Sequence, residues 1–115
     1  MTDDEINELL AIEVMKFLTG TVKTYTVEEW SWRDSDGVYL MRKDDWSPVT
    51  DISQAIECAE KWCKDNKKWC SFQIYYDEPY ITSNEKWRAD VAGNTVIDKY
   101  LARAICLVLC EAVKK

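Results

Sequence analysis

Any chemistry in this chain has to come from carboxylates, lysines or thiols, because the sequence contains no histidine. Without imidazole there is no Ser-His-Asp or Cys-His nucleophile and no histidine general base, and most zinc sites are removed. The five cysteines, Cys58, Cys63, Cys70, Cys106 and Cys110, have no Cys-x-x-Cys spacing. Cys58 and Cys63 diverge on a helix. Cys106 and Cys110 lie one turn apart, but two thiolates leave a zinc site half built. All five are expected to be reduced, buried small hydrophobes. Asp34, Asp36 and Gly37 resemble a scrap of a calcium loop, yet the remaining oxygen ligands and the closing glutamate are out of register, so a turn is expected. Asp44-Asp45 and Asp77-Glu78 read as solvated loop acids, since no spacing makes them an acid and a base. Three isolated glycines leave no phosphate cradle. No enzyme, metal site or cofactor is expected.

The feature left over is aromatic. Six Trp and six Tyr stand in 115 residues, more than a core of this size encloses comfortably. Core and cross-strand packing must take most of them. The rest suit an aromatic surface for a protein partner, a sister subunit or a stacked base. Trp30, Trp32, Tyr75 and Trp87 are the expected partner contacts. The alternative is a small-molecule binder that sequesters a nucleotide signal, with Lys86, Arg88 and Arg103 around its phosphates. A net charge of −6 disfavours direct nucleic-acid binding.

Elements to position these residues follow from periodicity. Thr2-Asp3-Asp4-Glu5 has capping-box spacing, and Ile6, Leu9, Leu10, Val14, Met15, Phe17 and Leu18 continue at helical intervals towards Gly20 as a left-handed stop. Strands are expected near Val22–Val27, Trp30–Arg33 and Gly37–Met41, the last two joined as a hairpin through Asp34-Ser35-Asp36-Gly37. Asp51 and Gln54 have capping spacing ahead of a helix striped with Ile52, Ala55, Ile56, Ala59, Trp62 and Cys63. A strand over Trp69–Tyr76 and another over Lys86–Val91 pair across a long connection. Ile97, Leu101, Ala104, Ile105, Val108, Leu109 and Ala112 mark a closing helix that Asn94 or Thr95 caps. The expected fold is α+β over a single domain, residues 1–115, with one antiparallel sheet of about five strands and three helices packed on it. Met1 is followed by Asp3, Asp4 and Glu5, the reverse of a basic leader, and no apolar run approaches the ~18 residues of a membrane span.

The motifs also resemble a known family. Glu8-Leu9-Leu10-Ala11-Ile12-Glu13-Val14-Met15 resembles the opening helix of the phage ABA-sandwich domain family. Trp46-Ser47-Pro48-Val49-Thr50-Asp51-Ile52 followed by Ala55 is similar to its approach to the central helix, and Ala102-Arg103-Ala104-Ile105-Cys106-Leu107 to its closing helix. Where that family carries glycine after the Val-Met pair, this chain has Lys16. The resemblance implies an α-β-α sandwich from a bacteriophage or prophage and brings no catalytic residues. With it, the expected role is a phage accessory protein in the bacterial host cytoplasm. It would be homo-oligomeric and bind a host factor to counter an antiviral defence.

Overall fold

A computed structural model describes residues 1–23, 28–66, 72–77 and 86–114. The chain runs α1 (Asp3–Leu9), a π-helical turn (Leu10–Val14), β1 (Leu18–Lys23), β2 (Glu28–Arg33), β3 (Tyr39–Arg42), a 3-10 turn (Lys43–Asp45), α2 (Ile52–Asn66), β4 (Gln73–Asp77), β5 (Lys86–Val91), β6 (Asn94–Asp98) and α3 (Leu101–Val113). The α+β class agrees with the sequence. The single five-stranded sheet does not: among the described residues six strands form two antiparallel three-stranded sheets, ordered β1-β2-β3 (sheet A) and β4-β5-β6 (sheet B).

The first helix begins as expected. Thr2 Oγ1 accepts from Glu5 N–H at 3.2 Å and the Glu5 carboxylate accepts from Thr2 N–H at 3.3 Å, which satisfies two orphan donors reciprocally. It ends earlier than expected, and differently. Met15 N–H bonds to Leu10 O at 3.0 Å, a wide turn. Lys16 then takes φ 59°, the left-handed region. Lys16, not Gly20, is the stop. Gly20 instead sits mid-strand in β1 opposite Ser31, with the Arg33 side chain lying over the space a Cβ would occupy.

The β2–β3 hairpin follows the expected turn chemistry. Asp34 Oδ1 accepts from the amides of Asp36 and Val38, both at 2.9 Å, and Gly37 has φ 82°. The Asp34-Asp36-Gly37 motif is therefore a turn. Asp51 accepts from Gln54 N–H at 3.2 Å at the start of α2. The Gln54 side chain reaches back further, to Ser47 N–H at 2.7 Å and Asp45 O at 2.9 Å.

Sheet B contains the element that the sequence reading missed. Ala92 and Gly93 have φ 49° and 84°, the pair of positive angles that a two-residue hairpin requires, and β6 follows at once. Asn94 caps no helix. Its amide bonds to Val91 O at 3.1 Å and closes the turn. Ile97 is accordingly on a strand, and α3 begins only at Leu101. The signal was legible in Thr95-Val96-Ile97, a β-branched run behind a glycine. The expected pairing of β4 with β5 is present, Ile74 facing Ala89 and Tyr76 facing Trp87.

The core lies around α3, which is apolar nearly all round because it is covered on two sides. Ala89 and Val91 of β5 are buried beneath it, while Cys58, Ala59 and Trp62 of α2 and Ile6, Leu10 and Val14 complete the cluster. Sheet B is thus covered on one face by α3, with α2 and α1 beyond it. Its other face presents Tyr75 and Ile97 to solvent. Sheet A meets the helical body through an aromatic joint: the Phe17 ring lies 6.2 Å from Trp32 and 5.2 Å edge-on from Trp46.

Candidate functional site

The four expected contact residues fall in different places. Trp30 and Trp32 alternate along β2 and so share one face of sheet A. Trp32, at 2% exposed, is a core residue held under Phe17, while Trp30 is 58% exposed two residues earlier. The sheet runs out from the core, so the same face that is buried at Trp32 is open at Trp30. Trp32 is thereby removed from the contact set by its packing. The Lys43 ammonium is 4.7 Å from the Trp32 ring centroid and 5.8 Å from that of Trp30, and 3.8 Å from the Glu8 carboxylate. This cation lies between the two indoles, the buried one and the exposed one.

Elsewhere on sheet A, Val38, Tyr39 and Leu40 of the hairpin and β3 are 58%, 47% and 39% exposed, Tyr39 standing opposite Arg33 and so on the other face from Trp30. A shallow depression of about 330 Å³ is lined by Glu29, Trp30, Ser31, Tyr39 and Arg42. Arg42 Nε pairs with Glu29 at 3.3 Å, so the wall carries balanced charge. Val38, Tyr39 and Leu40 were not singled out by the sequence. Their signal was alternation in a strand too short to show which side the core takes.

On sheet B, Tyr75 lies on the open face and Trp87 on the face towards α3, with Tyr76 4.9 Å from it ring to ring. Tyr75 and Trp87 therefore do not form one surface. The Arg88 guanidinium sits 5.5 Å from the Tyr75 ring and bonds Asp90 in two places, at 3.1 and 3.2 Å. These bonds hold the Asp90 carboxyl below its usual range.

The alternative ligand set is not assembled. Arg88 projects from the open face of sheet B, whereas Arg103 is on α3, against the other. Arg103 donates to Asp3 at 3.1 Å and to Asp98 at 2.8 Å, tying the starts of α1 and α3 to the end of β6. Both contacts raise its pKa. The Lys86 backbone is on β5, and its side chain lies outside the described residues.

Three of the described thiols are kept protonated by burial. Cys58, Cys106 and Cys110 are buried between α2 and α3. Burial pushes Cys58 up to about 12 and Cys110 up to about 11, and raises Cys106 as well. Cys63 is half-buried, and Cys70, like Trp69, Tyr80 and Glu78, lies outside the described residues. Among the described residues no group of three or more Cys, Asp or Glu side chains could hold a metal ion, and no helix is long and apolar enough to cross a membrane.

Comparison with known proteins finds no matching family model, no matching curated protein and no matching solved structure.

Proposed function

We propose that this protein is a binding protein without catalytic activity, and that it holds a protein partner on the aromatic face of sheet A around Trp30. The observation that carries this reading is Trp30 itself. A tryptophan more than half exposed on a strand, with a lysine fixed beside its ring, costs solubility in a free monomer and is the side chain most enriched in binding hot spots. Strand geometry supports the reading too. The indole is carried by a strand whose backbone pairs with Thr21 of β1 at this position, so less conformational freedom is lost on binding than from a loop. With the phage ABA-sandwich resemblance, the partner is a host protein in the bacterial cytoplasm, and the effect is interference with an antiviral defence.

The test is native mass spectrometry of the protein isolated gently from a bacterial host, beside its Trp30→Ala variant. The wild type is expected to carry a protein-sized addition that the variant loses. An addition of equal occupancy on the variant sinks the assignment to this face. A nucleotide-sized addition, lost on denaturation, would replace it with the sequestering reading.

A further inference from the structure

We propose that the surface around Trp30 takes a basic segment of a protein partner, with an arginine side chain laid on the Trp30 indole beside the carboxylates of α1. This rests on the function proposed above and adds to it the chemistry of the partner.

The chain already holds one cation in this corner. Trp30 and Trp32 share a face of sheet A, and the Lys43 ammonium lies 5.8 Å and 4.7 Å from their ring centroids. Glu8 of α1 is its counter-ion at 3.8 Å. An indole and a carboxylate beside one positive group together replace part of its hydration. Lys43 uses only a part of what is offered, because Trp30 remains 58% exposed.

The wall beside the indoles is acidic. Asp4 and Glu8 are four residues apart on α1 and so lie on one side of the helix. With Trp32, Lys43 and Asp44 they line a depression of about 230 Å³. Arg42 reaches Asp44 at 3.8 Å but sits closer to Glu29, at 3.3 Å. Asp4, Glu8, Asp44 and Glu29 are thus balanced only by Lys43 and Arg42, and the corner keeps an excess of negative charge. The whole chain, at −6, adds a field of the same sign.

This charge selects the occupant. An acidic strand or a nucleic acid is repelled by it. A purely apolar segment would cover the carboxylates without replacing their water. A basic segment meets both the indole and the acids. Arginine suits the place better than lysine, because its flat guanidinium stacks on an indole while its edge forks onto a carboxylate.

The experiment is fluorescence anisotropy of a labelled hexa-arginine amide titrated with the full chain at physiological ionic strength, beside a hexa-lysine amide of equal charge. Saturable binding is expected, with hexa-arginine at least about fivefold tighter than hexa-lysine. Trp30→Ala and the pair Asp4→Asn, Glu8→Gln should each weaken it by about fivefold or more. The control pair Glu57→Gln, Glu60→Gln removes the same charge from exposed positions on α2 and should change it by less than about twofold. Lys43→Met should tighten binding about threefold, because the internal competitor is gone. A corner with a merely structural role would give no such gain.

Absence of saturable binding overturns the inference. So do equal losses from the two acid pairs, or hexa-lysine binding as tightly, since either means that net charge alone is read. If the Asp4, Glu8 variant fails to fold, the sign of the Lys43→Met effect decides. Native mass spectrometry separates this inference from the function it rests on. A host protein lost from Trp30→Ala but kept by Asp4→Asn, Glu8→Gln leaves that function standing and overturns the basic partner. Specific hexa-arginine binding by a chain that captures no host protein upholds the site chemistry and counts against the host-partner reading.

Discussion

The indole N–H of Trp46 donates to the backbone carbonyl of Asn7 at 2.8 Å, in a buried bond that joins the loop before α2 to the end of α1. The Asn7 side chain answers in the other direction. Its Oδ1 accepts from Val49 N–H at 3.2 Å, and its amide reaches Ser47 Oγ at 3.4 Å. One asparagine thus satisfies a loop that would otherwise bury unpaired polar groups beside Pro48 and Val49. Replacing Asn7 with Ala leaves Val49 N–H buried without a partner, and is expected to cost about 1–3 kcal/mol. Trp46→Phe removes the reciprocal bond and is expected to cost a similar amount. Urea denaturation with a shared slope is the check. A loss below a few tenths of a kcal/mol in both variants would mean that the loop is held by packing alone.

Lys16 occupies a left-handed backbone position that glycine takes without a Cβ penalty. Lys16→Gly is therefore expected to stabilise the protein, or at worst leave it unchanged, despite the usual cost of glycine in the unfolded chain, with a gain of up to about 1 kcal/mol. Lys16→Val, β-branched in the same conformation, is expected to destabilise by more than that. The opposite order in thermal denaturation would show that the turn after the π-helical segment relaxes to negative φ.

Trp30 and Trp32 share a strand face and should differ sharply. Trp32→Ala empties the joint with Phe17 and is expected to lose about 3–5 kcal/mol, whereas Trp30→Ala should stay within about 0.5 kcal/mol of the wild type. Equal losses at both positions would place Trp30 in the core.

Thiol burial fixes a pH dependence. Cys58 and Cys110 have pKa values raised above 9.0, to about 12 and about 11, because burial disfavours the thiolate. The unfolded chain ionises first, so their contribution to stability is whole below pH 9 and is lost as pH rises through the folded values. Denaturation midpoints are expected to be flat with respect to these groups up to about pH 9 and to fall above it. The fall should be reduced in a Cys58→Ala, Cys110→Ala double variant. Over the same range, thiol reagents should label Cys58, Cys106 and Cys110 only as fast as the protein unfolds. Rapid labelling at pH 8 would contradict their burial.

Local patterns were enough for much of the fold. The Thr2–Glu5 capping box, the Asp34–Gly37 turn, the stripe of α2 and most of α3 all rest on interactions within a few residues or on an unbroken period, and those survive in the folded chain. Histidine's absence and the scarcity of glycine also bound the chemistry independently of the fold. The misreadings came where one local choice hangs on a distant one. The π-helical turn shifts the apolar stripe by one residue, so the helix ends at Lys16 and frees Phe17 for the aromatic joint. Asn94 suits a helix cap as well as a hairpin, and only the positive φ of Ala92 and Gly93 makes it the latter. Whether a tryptophan is core or surface cannot be read from alternation, because Trp30 and Trp32 occupy equivalent positions on one face. The extent of the helical body decides: it ends between them, covering Trp32 and leaving Trp30 in water. In the same way, strand count came from the sequence as five or so, while the division into two sheets depends on which edges meet. That is settled by contacts far apart in the chain, among them the Arg103 bond to Asp3 that ties α3, beside the end of sheet B, to the start of α1.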